Sequence, residues 1–167
     1  MIHDEHPFAD SEDLRDPVRR FRGRLASPVT IVTSGPPDAR TGLTVSSIMV
    51  AEGEPSRVYF LCSTATDLWE AVTATGAFVV HVLGASARHL SDRFAGLMPS
   101  PGGLFAGLDP QDTRHGPVIP SLPTRARCTL GGHSDVGIYA LVEGLVDEVE
   151  LDDLTHPLQY FRGRYLG

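Results

Sequence analysis

Two short hydroxyl-rich segments stand out in this chain as places where chemistry can happen. Thr44, Ser46 and Ser47 interrupt the otherwise apolar run GLTVSSIMVA (42–51). Ser63, Thr64 and Thr66 fall where an apolar run ends and a helical pattern begins, with Asp67 next in line. A helix start leaves backbone N–H groups free, and hydroxyls beside them complete a cradle for an anion. Such a cradle needs no lysine, and this chain has none: all 14 fixed cations are arginine. The plainer reading of the same residues, an N-cap beside polar strand faces, remains open at this point.

Other chemistries find less support. His3 and His6 have an HxxH spacing on an acidic N-terminal stretch, while His81, His89, His115, His133 and His156 are scattered without zinc-site spacing. His81 lies in an apolar run and reads as a core histidine with satisfied hydrogen bonds. Ser46, Ser63 and Cys62 are formal nucleophiles, but no GxSxG elbow surrounds them. The absence of lysine excludes a Schiff base and a Walker lysine. A net charge of −7 argues against nucleic acid and anionic membrane as partners. Two cysteines, Cys62 and Cys128, form no disulfide framework and read as small core residues. The acidic run VDEVELDD (146–153) reads as a solvated strand end.

The 167 residues suit one domain with a real core. No apolar run reaches the roughly 18 residues of a membrane span. The polar, acidic opening MIHDEHPFADSEDLRD is unlike a signal peptide, so a cytoplasmic protein is expected.

The positioning elements follow from periodicity. Val18, Phe21 and Leu25 predict one face of a short helix within 10–25, with Pro17 in its first turn. SPVTIVTS (27–34), GLTVSSIMVA (42–51) and RVYFLCS (57–63) read as strands joined by turns, in the manner of an antiparallel meander. TATDLWEAVTATG (64–76) reads as a helix capped by Thr66 or Asp67 and stopped by Gly76. AFVVHVLG (77–84) is a buried strand, and ASARHLSDRFAGL (85–97) an amphipathic helix. Residues 98–123 are an irregular, Pro- and Gly-rich loop. TRARCTLGG (124–132) and IYALVEGLVDEVEL (138–151) are two further strands. Strands outnumber helices and do not alternate with them, so the fold class is mainly β: an antiparallel barrel with helical insertions.

These segments, in this order, resemble the flavin reductase-like family. RFRGRLASPVTIVTS, GLTVSSIMVAEGEPSRVYFLCS, DLWEAVTATGAFVVHVLG, SDRFAG, LVEGLV and PLQYFRGRY carry the likeness over about residues 19–167, leaving 1–18 as a tail and helix start. The resemblance implies an FMN-binding split barrel of antiparallel Greek-key type that forms homodimers. It implies an NAD(P)H-dependent flavin reductase, with FMN (or FAD) as flavin and a monooxygenase as possible partner. By position, Thr44, Val45, Ser46 and Ser47 match the strand along the flavin. Val50 and Ala51 match backbone positions at the isoalloxazine. Ser63, Thr64, Thr66 and Asp67 match the turn near the ribityl phosphate.

The chain departs from the family at two places. Many members carry a Gly-Asp-His triplet where this chain has Gly137, Ile138 and Tyr139, which puts Tyr139 at the nicotinamide position; His133 and Asp135 are the alternative substitutes. Several members have Asn where Ser46 and His81 stand here. A flavoprotein with another reductant, or a non-enzymatic module for flavin, deazaflavin or haem on the same barrel, are the competing readings. The aromatic tail residues Tyr160, Phe161 and Tyr165 are expected to mark a dimer contact.

Overall fold

The computed structural model describes residues 16–166. The main sheet has seven antiparallel strands in the order β3-β2-β6-β9-β10-β5-β4. They are β2 (Thr30–Ser34), β3 (Thr41–Val45), β4 (Met49–Ala51), β5 (Arg57–Ser63), β6 (Ala77–Val82), β9 (Arg125–Val136) and β10 (Tyr139–Glu150). β3 and β4 are the two edges. Yet only Ser46, Ser47 and Ile48 separate them in the chain. Four residue steps span at most about 14 Å. The sheet must therefore curl until its edges nearly meet, which makes it a barrel with a split.

This corrects the reading of 42–51 as one strand of a meander. Strand-like residues continue on both sides of Ser46 and Ser47, so the composition of the segment does not show the break. Thr41–Val45 pairs with β2, while Met49–Ala51 pairs with β5 on the far side of the sheet.

The barrel is filled from all its walls. Val32, Val45, Phe60, Phe78, Val80, Cys128, Ala140 and Val142 form one buried cluster. Gly144 makes room for it: a Cβ there would lie 2.3 Å from Cζ of Phe78. Helix α2 (Asp67–Thr75) closes one end with Leu68 and Val72. Gly76, at φ 70°, ends that helix in the left-handed region. The opposite end is open and holds an apolar cavity of about 170 Å³ between Val50, Val58, Val80, Val82, Val149 and Leu151.

A second cluster lies outside the barrel wall. Val29, Ile31, Leu83, Leu90, Phe94, Ile119 and Leu158 belong to it. Helix α3 (Arg88–Phe94) contributes Leu90 and Phe94. The long loop is not wholly irregular: β7 (Gln111–Thr113) and β8 (Gly116–Val118) form a hairpin within it. His115, buried, meets Asp147 of β10 at 2.7 Å and fastens this hairpin to the sheet. The tail forms β11 (Gln159–Phe161) and β12 (Arg164–Leu166), and β1 (Ser27–Pro28) pairs with β11. Tyr160 and Tyr165 pack on the chain's own second cluster, edge to face at 5.4 Å. The expected tail contact is thus made inside one chain.

Helix α1 (Pro17–Gly23) has Pro17 in its first turn, as expected, with Asp16 as N-cap. Its apolar face, however, buries nothing: Val18 and Phe21 are exposed, and Leu25 just beyond it as well. The rest of the expected helix, and His3 and His6, lie outside the described residues.

His81 is the core histidine its surroundings suggest. Its Nδ1–H donates to the Ile31 carbonyl at 3.2 Å, and its Nε2 accepts from Ile119 N–H at 3.1 Å. The ring is thereby held neutral and ties the long loop to the barrel wall. Burial, reinforced by the cations of Arg125 and Arg127, pushes its pKa from 6.5 down to about 4. The fold disfavours the proton, so its stabilisation is whole above pH 6.5 and drains as pH falls toward 4. Between pH 7 and pH 4.5 this group alone should remove about 2–3 kcal/mol. Urea unfolding of the wild type and of His81→Gln at both pH values checks this. The variant should lose less on acidification; an unchanged loss contradicts the assignment.

Candidate functional site

The split of the barrel sets up the site. Residues Ser46–Ile48 belong to no ladder, and β3 and β4 each have one unpaired edge. Along one side, the stretch 44–51 therefore carries backbone N–H and C=O groups with no neighbouring strand, the Val45 carbonyl being taken by Thr30. Ser47 holds the stretch in place. Its Oγ accepts from Leu61 N–H at 3.0 Å and donates to the Leu61 carbonyl at 3.4 Å. Leu61 is two residues from Ser63, the end of β5. The link thus lies about 7 Å along that strand from the turn that leads into α2.

The turn after β5 is built on hydroxyls. Thr66 caps α2: its Oγ1 accepts from Trp69 N–H at 3.3 Å and donates to the Ser63 carbonyl at 2.8 Å. Ser63 Oγ accepts from Ala65 N–H at 3.4 Å. Thr64 donates from its backbone N–H to the Ile138 carbonyl at 3.4 Å. That bond pins the tip of the β9–β10 hairpin beside the turn. Tyr139, the first residue of β10, pairs directly with Ser63. Five residue steps separate Ser63 from Val58, the partner of Val50. The stretch of β5 from Val58 to Ser63 is thus about 17 Å long, the length of a tricyclic ring with a phosphate-bearing tail.

Most of the residues singled out from sequence come together here. Ser46, Ser47, Ser63, Thr64, Thr66, Asp67 and Tyr139 surround the end of β5, and Val50 and Ala51 lie on β4 farther along it. Thr44 is different: its Oγ1 donates to the Ser91 carbonyl of α3 at 2.7 Å, so its hydroxyl anchors β3 to that helix. Val45 is buried, and its carbonyl accepts from Thr30 at 2.6 Å. His133 and Asp135 lie on the same hairpin as Tyr139. His133 pairs with inward-facing Val142, and its ring meets Trp69 of α2 edge to face at 4.9 Å. It therefore occupies the hairpin face opposite Tyr139. Leu61, whose backbone receives Ser47, was not legible as a site residue, because an apolar strand residue gives no sequence signal.

The electrostatics are unusual for an anion site. Asp67 and Glu70 both stand in the first turn of α2. They favour the helix dipole but oppose a bound phosphate. Free N–H groups and hydroxyls must then supply the attraction. Cys62 is a poor nucleophile: it is buried, and burial pushes its thiol up. Cys128 is pushed up to about 12, by burial first and by the charge of Asp147 second. Among the described residues, no group of three or more His, Cys, Asp or Glu is placed to hold a metal ion. No helix among them is long and apolar enough to cross a membrane.

Known proteins share this architecture. The flavin reductase like domain matches residues 22–167, and the chain belongs to that family. It is 30% identical over 155 residues to the reductase subunit of a flavin-dependent monooxygenase from Mycobacterium tuberculosis, covering 89% of this chain and 81% of that one. It is 32% identical over 160 residues to an NADH:FMN oxidoreductase from Rhodococcus qingshengii, covering 92% and 79%. Among solved structures, a homologue of nitrilotriacetate monooxygenase component B from Mycobacterium thermoresistibile superposes with a TM-score of 0.80 at 29% identity, over 89% of this chain and 83% of that one.

The cap makes a direct prediction. Thr66→Ala removes the acceptor for Trp69 N–H and should lower stability by about 1 kcal/mol, while Thr66→Ser should be close to neutral. Chemical denaturation measures both. Equal stability of Thr66→Ala and wild type contradicts the cap.

Proposed function

We propose that this chain is an NAD(P)H-dependent flavin reductase that binds FMN (or FAD) along Thr44–Ala51 and the Ser63–Asp67 turn. One observation carries the reading. An edge segment with unpaired backbone groups is tied by Ser47 to the strand that ends at a helix start. Such a groove meets what a flavin presents: a flat ring with a hydrogen-bonding rim, and an anionic tail.

When bound, the flavin supplies hydride acceptance from a nicotinamide. The chain's own residues bind and orient. Backbone groups of 46–51 meet the ring edge. The first-turn N–H groups of α2, with Ser63 and Thr64, receive the phosphate. The backbone of Val50 and Ala51 holds the ring's position along the strand edge, while Val45 packs in the barrel behind it. Tyr139 stands across β5 from the phosphate turn and offers the nicotinamide a ring to stack on and one O–H. No strong acid or base is needed for a hydride transfer, and the groove holds none in a catalytic arrangement.

The carboxylates of Asp67 and Glu70 keep the flavin loosely held, as suits one that leaves after reduction. Its recipient is a partner monooxygenase, a role that the names of several relatives carry. The reductase works in the cytoplasm as a homodimer. Support for the dimer is the exposed apolar surface on α1, on β4 and at the end of β10, where Phe21 and Val50 are 66% and 67% exposed.

NADH oxidation with and without added FMN tests the reading. Turnover that depends on FMN supports it. FMN quenching without NAD(P)H turnover leaves a flavin-binding module, and no flavin binding defeats the proposal. Two variants test the site. Asp67→Asn should tighten FMN by roughly two- to five-fold in a fluorescence titration, by relieving repulsion at the helix start; weaker binding contradicts the phosphate position. Tyr139→His should lower KM for NADH with little change in melting temperature. A destabilised variant with no gain in NADH use assigns Tyr139 to packing instead.

A further inference from the structure

Two exposed features of this chain complement each other, though both sit away from the hydroxyl turn. The first is α1 and the residues after it, PVRRFRGRL (17–25). Val18, Phe21 and Leu25 face solvent, with Phe21 66% exposed. Arg19 and Arg22, both exposed, flank them. The second is the open end of the barrel. Its apolar cavity of about 170 Å³ is lined by Ile48, Val50, Val80, Val82, Val149 and Leu151 among others. The hydroxyls at its rim are used elsewhere: Thr30 donates to the Val45 carbonyl at 2.6 Å, and Thr124 to the Asp152 carbonyl at 3.3 Å. Arg125 also lines the cavity, with its guanidinium paired to Glu150, so no free side-chain hydroxyl or unpaired cation remains there and the cavity suits an apolar group. Leu151 at its mouth is 81% exposed, and Asp152 and Asp153 follow it, exposed. Glu148 and Glu150 are already paired with Arg127 and Arg125, so the acidic charge left at the mouth is that of the two aspartates.

We propose that α1 of a second copy docks at this open barrel end, with Phe21 entering the cavity and Arg19 and Arg22 facing Asp152 and Asp153. Size supports the fit: an apolar cavity of roughly 150 Å³ is enough to take up benzene, the ring that phenylalanine carries. Charge supports it as well, since a basic apolar helix meets an acidic apolar rim on a chain whose net charge is −7. A reciprocal exchange of α1 closes a two-fold dimer, in which each copy gives one helix and receives one.

The contact reaches the flavin groove. Ile48 and Val50 line the cavity and also belong to the edge segment 44–51. A partner's Phe21 behind them steadies that segment, so each copy helps complete the other's flavin site. The inference rests on the homodimer in the proposed function and adds its docking mode.

Cysteine trapping tests it on the full chain. Both native cysteines are buried with thiols pushed up, so they contribute little background. Phe21→Cys and Leu151→Cys, made as separate variants and mixed, should give a covalent dimer on mild oxidation, while neither variant alone does. Placed in one chain, the two cysteines should bridge between copies. No mixed dimer, or closure within one chain, overturns the docking mode. Phe21→Asp gives an independent readout by light scattering. Because Phe21 is exposed in the single chain, folding should persist, while the dimer dissociation constant rises roughly ten- to hundred-fold from the lost ring burial. FMN affinity should fall with it. A wild-type dimer unaffected by Phe21→Asp defeats the docking mode and leaves the homodimer standing. A wild type that stays monomeric at micromolar concentration defeats both.

Discussion

The three-residue link Ser46–Ile48 is the constraint on which the rest depends. It joins strands at opposite edges of a seven-stranded sheet, and only a curled sheet lets so short a link reach. Curling gives the barrel its interior, filled by the cluster around Phe60 and Phe78. It also leaves the edges of β3 and β4 without strand partners. A fully hydrogen-bonded barrel would have consumed those backbone groups; the split does not. The two Ser47 bonds to Leu61 set where the link lies, and thereby set its distance from the start of α2.

The same hydroxyls that suggest an anion site are needed by the fold. Thr66 caps a helix, Ser47 fastens the link and Thr44 anchors β3 to α3. Their loss would therefore weaken the groove before it weakened any contact with a ligand. A binding defect in Ser47→Ala or Thr66→Ala speaks to the site only when stability is measured beside it. This coupling separates backbone donors, which no side-chain change removes, from the hydroxyls that position them.

Much of this was legible in the sequence. Alternating and β-branched runs give β2, β5 and β6, and Gly76 and Thr66 mark the ends of α2. The segment order carries the family. What escaped has physical causes. Residues 42–51 stay strand-like on both sides of Ser46 and Ser47, so their change of sheet edge shows only in pairing. The apolar face of α1 has helical period but buries nothing among the described residues, and periodicity alone does not show that a face is buried. His115 and Asp147 are 32 residues apart and meet only because a loop folds back on the sheet. The aromatic tail looks like an interface from composition alone, and it packs on its own chain. Tyr139 is placed across from Ser63 by strand register, which no local motif encodes.

The central claim is that the unpaired backbone along the barrel split receives the flavin. Amide hydrogen exchange of the chain with and without saturating FMN addresses it most directly. The account predicts slowed exchange at Ser46–Ala51 and at the first-turn amides of α2, with the buried strands β2 and β6 unchanged. Bound FMN that leaves both segments exchanging at their free rates, or that protects the open barrel end instead, would contradict it.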